Sequence, residues 1–186
     1  GYQTEGIYQD QAEINALNIN APVSTNGDPG IYHRNAKPGD LRFVDTNQDG
    51  EITIEDKTYI GDPIPELTMG LNLGFNYKNI DFNASAFASI GNDMVRDYER
   101  KNLFSNKGTY VLDRWTPTNP SNTIPRAVNG SSINYDNFSD YFVEDASYVR
   151  IQNIQVGYTF NQELISKIGV TKLRLYTSGN NLFTFT

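Results

Sequence analysis

The sequence predicts an all-β fold whose antiparallel strands are long enough to cross a membrane. From Leu67 to Tyr77 every odd position is apolar, while the even positions carry Thr, Gly and Asn, which is the two-residue period of a β-strand. After Lys78-Asn79 the apolar residues move to even positions and continue to Ile90, with Phe87 as the one large exception. A tilted strand needs roughly 9–11 residues to span the hydrocarbon core of a bilayer. Residues 67–77 and 80–90 each meet that length, so they are predicted to form a transmembrane hairpin.

The change of parity at Lys78-Asn79 predicts the register of this hairpin. A two-residue turn there pairs Tyr77 with Ile80 and Leu67 with Ile90, which places both apolar sets on one face. A half-buried hairpin in a soluble β-sandwich shows the same alternation. The hairpin alone therefore leaves both alternatives open.

Composition narrows the function classes. The 186 residues include 15 Lys+Arg and 22 Asp+Glu, and the net charge of -7 argues against binding of nucleic acid or of anionic lipid headgroups. No apolar run has the length of a membrane-spanning helix. The absence of Cys excludes disulfides and thiolate metal sites. The chain starts and stops abruptly, and we expect it to be a piece of something longer.

The region before the hairpin is predicted to hold one short helix and a long loop. Apolar residues between Ala12 and Leu17 predict the helix, and residues 20–39, which are rich in Pro and Gly, predict the loop. The single histidine, His33, falls in this loop. With no Cys and no second His nearby, it is expected to be a solvated residue rather than a metal ligand or catalytic base.

Residues 45–56 match the pattern of an EF-hand-like calcium loop. Alternate residues of a tight turn supply the hard oxygen ligands that Ca²⁺ prefers, and Gly50 permits the turn. Ile52 is expected to point inward as an anchor. The predicted ligands are Asp45, Asn47, Asp49, Glu51 through its carbonyl, and Asp56. The implied cofactor is one structural Ca²⁺.

This loop departs from the usual pattern at its last ligand, where Asp56 replaces a Glu that is one methylene longer. Thr53 and Asp56 also read as the two partners of a helix capping box. Any such helix must be short, because residues 61–65 include one Gly and two Pro. An Asx-rich turn that holds no ion remains the alternative.

Residues 91–146 form a long insert, and the chain beyond them returns to strand. In the insert, the charged run 96–101 is interpreted as a solvated face, and Trp115 as packing the loop down or stacking on a sugar or peptide ligand. Residues 147–160 and 171–179 are predicted strands, and a phase slip near Gln152-Asn153 predicts a β-bulge.

Long loops precede Leu67 and follow Ile90, whereas the other connections are short. This asymmetry is typical of an outer-membrane barrel and places residues 45–56 and Trp115 on the outer side.

Segments distributed through nearly the whole chain resemble the SusC/RagA family of TonB-dependent transporters. Their order and spacing are more specific than any one of them. They are Gly1-Tyr2 with Thr4–Ile7, Lys37–Arg42, the calcium-type loop, Tyr59–Pro63, Arg114–Pro117, Val143–Ile151, Val156–Thr159, Leu173–Tyr176 and Ser178–Phe185.

The resemblance implies an antiparallel transmembrane β-barrel segment, part of a barrel of about 22 strands in a Gram-negative-type outer membrane. On that basis residues 39–66 are an outer loop with the calcium-type motif, 67–90 the transmembrane hairpin, 91–146 a second outer loop and 147–180 further strands. The plug, the TonB-contacting segment and the final strand would lie outside residues 1–186. The implied partners are outer-membrane lipid, the TonB complex, a SusD/RagB-like lipoprotein and oligosaccharide or peptide cargo.

The sequence has two alternative function classes, a binding module and an enzyme. A secreted calcium-stabilised β-rich binding module would carry the same Asp-x-Asn-x-Asp-Gly pattern, but dockerin-like modules have two such loops on helices. An enzyme is not expected, because no nucleophile-elbow, phosphate-loop or zinc-protease motif is present. Glu144 and Asp145 are neighbours on a predicted strand and so point to opposite faces, which argues against a shared catalytic site.

Overall fold

A computed structural model describes residues 1–23, 26–96 and 108–186 of the chain. The strands are β1 (Thr4–Ile7), β2 (Leu41–Phe43), β3 (Leu67–Tyr77), β4 (Ile80–Ile90), β5 (Asp93–Val95), β6 (Val143–Asp145), β7 (Tyr148–Thr159) and β8 (Arg174–Phe185). The α-helices are α1 (Gln11–Asn20), α2 (Ile133–Asp136) and α3 (Gln162–Ile165). Short 3-10 helices cover Ile54–Asp56, Thr109–Asp113, Asp140–Phe142 and Ser166–Ile168. No helix within these ranges has the length and apolar character needed to span a membrane.

The chain divides into two compact units. One unit comprises Gly1–Gly61 and Val95–Val143, and the other comprises Asp62–Met94 and Glu144–Thr186. The first is built on loops around the short antiparallel pair β1–β2. The second is built on a four-stranded antiparallel sheet with the order β3-β4-β7-β8. The all-β antiparallel fold class is therefore confirmed.

The first unit has a small aromatic core. The rings of Tyr2 and Phe43 stack with centroids 4.9 Å apart. Around them lie Ile7, Leu41 and Trp115, and Ile52 packs against this cluster from the calcium-type loop. The predicted inward anchor at Ile52 is confirmed, and this contact ties the loop to the core. The predicted N-terminal helix is also confirmed as α1, which Asp10 caps by accepting a hydrogen bond from the Glu13 N–H.

The prediction that His33 is a solvated loop residue is wrong. Its side chain is buried in the first unit, 5.1 Å from the Phe43 ring centroid. Its Nδ1 lies 3.3 Å from the Tyr8 hydroxyl. Burial lowers the pKa of His33 to about 4, although nearby Asp40 acts in the opposite direction. The imidazole is therefore neutral at pH 7 and belongs to the core.

The insert between the strands carries structure of its own. Trp115 is 8% exposed, and its indole N–H donates to Gln9 Oε1 at 3.1 Å. The indole packs the loop down, as one of the two interpretations predicts. Stacking of Trp115 on a sugar or peptide stays a prediction. In the charged run, residues 97–101 lie outside the described residues.

The sheet of the second unit confirms the predicted hairpin register. Tyr77 pairs with Ile80, and Leu67 pairs with Ile90 at the far end. The turn residue Lys78 has a φ of 55°, as a tight two-residue hairpin turn requires. Strand β7 then pairs with β4, and β8 pairs with β7. Within the described residues the outer edges of β3 and β8 pair with no other strand, so the sheet is open.

The predicted β-bulge is confirmed, whereas the predicted bounds of the last strand need correction. The register of β7 shifts between Asn153 and Ile151 against both of its neighbours. The sequence predicts the last strand over 171–179, but the strand runs from Arg174 to Phe185. It continues because Asn181 adopts a φ of 52° and forms an irregularity opposite the β7 bulge. The two irregularities compensate, and pairing resumes at Phe183.

Candidate functional site

The four-stranded sheet has one continuous apolar face. The registers place the odd residues of β3 beside the even residues of β4, and the apolar residues of β7 and β8 continue the same face. Phe75 and Phe82 stack across the strands with ring centroids 5.0 Å apart. Large side chains here are about half exposed: Leu71 55%, Leu73 54%, Phe75 56%, Leu175 60% and Phe183 57%. Single exposed apolar residues are ordinary, but a contiguous face of this size indicates an interaction surface.

The opposite face of the same sheet is polar. It carries amides and hydroxyls from all four strands, including an Asn153 Nδ2 to Asn180 Oδ1 hydrogen bond of 2.7 Å. Phe87 is the large exception, and its ring lies 6.1 Å from that of Tyr148. A shallow depression of about 310 Å³ occupies the centre of this face. Polar side chains that line it are Asn72, Asn83, Ser85 and Asn153.

An ion pair crosses three strands of the polar face. Arg174 on β8 donates from Nε to Asp81 Oδ1 at 2.9 Å and from Nη2 to Oδ2 at 2.5 Å. Between them lies Gly157 on β7, where a Cβ would meet Asp81 Oδ1 at 2.5 Å. A side chain at position 157 would displace this bidentate pair. Glycine is therefore favoured here because it leaves space for the ion pair, and not because of its backbone conformation.

The calcium-type loop folds as a compact turn held by its own side chains. Asp45 accepts the N–H of Gly50 at 2.8 Å and that of Asp49 at 3.2 Å. Asp49 accepts the N–H of Glu51 at 2.9 Å, and Asn47 donates to Asp49 Oδ2 at 2.8 Å. Gly50 has a φ of 88°, the left-handed conformation that the pattern assigned to a glycine. The loop thus brings the three side chains at its alternate positions to one side of the turn.

Asp56, the predicted last ligand, is fully buried and engaged with the backbone. Its Oδ1 accepts the Thr46 N–H at 2.9 Å, and its Oδ2 accepts the Thr53 N–H at 2.7 Å. The second bond completes the predicted capping box with Thr53. In the part of the chain that the structure describes, no cluster of three or more His, Cys, Asp or Glu is positioned to hold a metal ion. Calcium binding by Asp45, Asn47, Asp49, Glu51 and Asp56 stays a prediction.

The first unit also contains a buried polar network that no pattern in the sequence predicts. Asp40 is 1% exposed and accepts from Arg126 Nε at 2.6 Å and Nη2 at 3.2 Å. Asn134 Nδ2 also donates to Asp40, at 3.1 Å, while Asn134 Oδ1 accepts the Leu41 N–H at 2.7 Å. The network joins the chain before β2 to two distant parts of the insert. The neighbouring Gly39 is tightly packed as well, since a Cβ there would lie 2.3 Å from the Trp115 ring.

Sequence relatives identify the family. The chain is 35% identical to TonB-dependent receptor P3 of Formosa agariphila over its whole length, which is 17% of that receptor. It is 30% identical to TonB-dependent receptor P26 of the same organism over 98% of the chain, again 17% of the receptor. With TonB-dependent receptor SusC of Bacteroides thetaiotaomicron it shares 38% identity over 70% of the chain and 13% of SusC. The chain spans less than a fifth of the curated relatives it matches. No protein-family model matches it.

Solved structures with the same fold come from RagAB. The chain superposes on the RagAB peptide importer in its closed-closed state with a TM-score of 0.63, 20% identity and coverage of 100% of this chain and 19% of the importer chain. A second RagAB peptide transporter structure gives a TM-score of 0.64 with 24% identity, over 80% of this chain and 17% of that one. The fold shared with RagAB and the sequence identity with SusC and its relatives agree with each other: the chain is a partial segment of a TonB-dependent receptor of the SusC/RagA family.

Proposed function

We propose that the whole receptor imports nutrient molecules across an outer membrane and that this chain forms part of the barrel wall. One observation carries the proposal: a four-stranded sheet exposes a continuous apolar face on one side and an Asn- and Ser-rich face on the other. A barrel wall needs this division, because one side meets lipid and the other a polar interior. Strands β3 and β4, with 11 residues each, are long enough to cross the bilayer.

The open sheet edges support the same proposal. The unpaired edges of β3 and β8 within the described residues are long strands that, left exposed, would promote aggregation. In a closed barrel, neighbouring strands of the receptor would pair with both. A secreted binding module would instead need another layer to cover the apolar face.

The proposed cargo is an oligosaccharide or a peptide, delivered with a SusD/RagB-like lipoprotein and driven by the TonB complex. The relation to SusC and the likeness to the RagAB peptide importer support this class of cargo and this partner. Among residues 1–23, 26–96 and 108–186, no side chain distinguishes the two cargo classes. Specificity is therefore assigned to the receptor and its partner as a whole.

Uptake by cells tests the import function. A strain lacking the receptor and the same strain complemented with it would be offered fluorescently labelled oligosaccharides and peptides, with an energy-uncoupled culture as control. We expect complemented, energised cells alone to accumulate one class. A tagged receptor should also co-purify with a surface lipoprotein. Equal accumulation in all cultures would contradict the proposal.

We further propose that residues 45–56 bind one structural Ca²⁺. Support comes from the spacing of Asp45, Asn47 and Asp49, and from the position-6 glycine, which has the expected backbone conformation. On the outer side of a membrane, where calcium is abundant, a weak Kd of about 10⁻⁴–10⁻³ M would suffice. Asp56 would act mainly by closing the loop, because its two oxygens already accept backbone hydrogens.

Calorimetry on the full-length receptor tests the calcium proposal. Asp49→Asn is the informative variant, since an amide oxygen can still accept the Glu51 N–H while the charge is lost. We expect this variant to abolish the heat of Ca²⁺ binding, and Asp28→Asn, on an exposed loop of the same unit, to leave it unchanged. Equal heats for wild type and Asp49→Asn would refute the site.

A further inference from the structure

The two ends of the four-stranded sheet carry opposite charge. In the second unit, four of five basic residues lie at the end with the Lys78-Asn79 turn and the β7–β8 connection: Lys78, Lys167, Lys172 and Arg174. Five of the unit's seven acidic residues lie at the other end: Asp62, Glu66, Asp93, Glu144 and Asp145. The whole-chain charge of -7 conceals this separation.

Three of the basic side chains at the turn end are available to a ligand. Arg174 is held by Asp81, but within the described residues no ion pair engages Lys78, Lys167 or Lys172, and all three are exposed. Lys78 extends over the Tyr77 ring, with its Nζ 5.3 Å from the centroid. Glu163 is the one acidic residue of the β7–β8 connection, so this end of the sheet has a local excess of positive charge.

Exposed apolar side chains accompany these lysines. Leu164 is 59% exposed and Ile168 is 71% exposed, and they flank Lys167 on the β7–β8 connection, while Ile165 between them is buried. At the same end, the apolar face of the sheet finishes in Tyr77 and Tyr158, which are 63% and 40% exposed. Tyrosines at the end of an apolar strand face are typical of the membrane interface.

The connection is anchored to the hairpin turn. The Thr159 N–H donates to the Asn79 carbonyl at 2.8 Å, and Asn79 Nδ2 also donates to Asn161 Oδ1. The Phe160 N–H donates to the Leu173 carbonyl at 2.9 Å, which closes the base of the connection. Lys78 on the hairpin turn and Lys167 and Lys172 on the β7–β8 connection therefore belong to one continuous edge of the sheet.

We propose that this edge is a docking surface for anionic phospholipid: Lys78, Lys167 and Lys172 bind headgroup phosphates while Leu164 and Ile168 enter the boundary with the acyl chains. The inference rests on the proposed function, because it requires the apolar sheet face to contact lipid. The surface is continuous with that face, and its charge is complementary to phosphate. A lysine near an anionic membrane surface contributes about fivefold in affinity.

Native mass spectrometry of the full-length receptor tests the proposal, with dioleoyl phosphatidylglycerol and phosphatidylcholine as probes. Wild type should retain the anionic lipid preferentially. The triple variant Lys78→Gln, Lys167→Gln and Lys172→Gln should lose that preference by about fivefold per lysine.

A second triple variant, with three basic residues replaced in the first unit, is the control for loss of charge alone. Arg34→Gln, Lys37→Gln and Lys57→Gln remove the same charge from the first unit and should keep the wild-type preference. An unchanged preference in the first triple variant, or full competition by millimolar inorganic phosphate, would overturn the proposal. Failure of wild-type receptor to retain either lipid would instead count against the barrel-wall function.

Discussion

Loss of the Asp40 carboxylate should open the insert that Arg126 belongs to. Asp40→Ala removes two hydrogen bonds from Arg126, one from Asn134 and one from the Lys37 N–H. Breaking a buried ion pair from one side costs about 3–5 kcal/mol. The Arg126 side chain is 25% exposed, so water can solvate the guanidinium in part, and we expect the lower limit, about 3 kcal/mol.

Hydrogen exchange in the full-length receptor measures this effect locally. The amides of Trp115 and Arg126 donate to the carbonyls of Ile124 and Gly39, at 2.9 and 2.8 Å, and both bonds must break when the insert opens. A loss of about 3 kcal/mol should accelerate their exchange on the order of 100-fold.

Two further variants provide an intermediate exchange rate and an unchanged one for comparison. Arg126→Lys keeps the charge but not the bidentate geometry, and should accelerate exchange less than Asp40→Ala does. Lys37→Ala should change nothing, because only its backbone N–H contacts Asp40 and its side chain is exposed. The reasoning would be refuted if Asp40→Ala and Lys37→Ala exchanged at the same rate.

Three other predictions follow from burial and from the two faces of the sheet. Because the pKa of His33 is about 4 when folded and about 6.5 when unfolded, its contribution is complete above pH 6.5 and falls by about 3 kcal/mol towards pH 4; thermal unfolding of His33→Gln should lack this acid sensitivity. Gly157→Val should cost about 1–3 kcal/mol in urea unfolding through displacement of the ion pair above it, whereas Gly70→Val, where nothing lies within 4 Å, should cost less. Leu71→Arg should destabilise the barrel by about 2–4 kcal/mol and Asn72→Arg by much less, and equal costs would contradict the assignment of faces.

Local periodicity was sufficient to predict the hairpin. A two-residue turn permits one register, and among the large side chains from Leu67 to Ile90 only Phe87 departs from the alternation. The bulge near Asn153 could also be predicted, because one extra residue in the strand moves the apolar positions after it from odd to even. The end of β8 could not be predicted in the same way, since the irregularity at Asn181 depends on the bulge in its partner strand.

Burial that depends on residues distant in sequence could not be predicted from local sequence patterns. His33 lies in a segment whose composition indicates loop, and its burial comes from packing against Tyr8 and Phe43. The ion pair of Asp40 and Arg126 joins residues 86 positions apart, with no periodicity to connect them. The calcium-type loop is intermediate: its turn geometry follows from local spacing, but whether its oxygens hold an ion depends on the charge and the access of the folded site.

The lipid-facing assignment of the apolar sheet face is tested most directly by spin labels in the reconstituted full-length receptor. Labels at Met69, Leu71, Leu73 and Phe75 would be compared with labels at Gly70, Asn72 and Gly74 for collisions with oxygen and with a water-soluble relaxation agent. The first set should show high oxygen accessibility and low aqueous accessibility, and the second set the reverse tendency. Low accessibility to both reagents at the first set would mean that protein covers this face, and would contradict its role as the outer wall of a barrel.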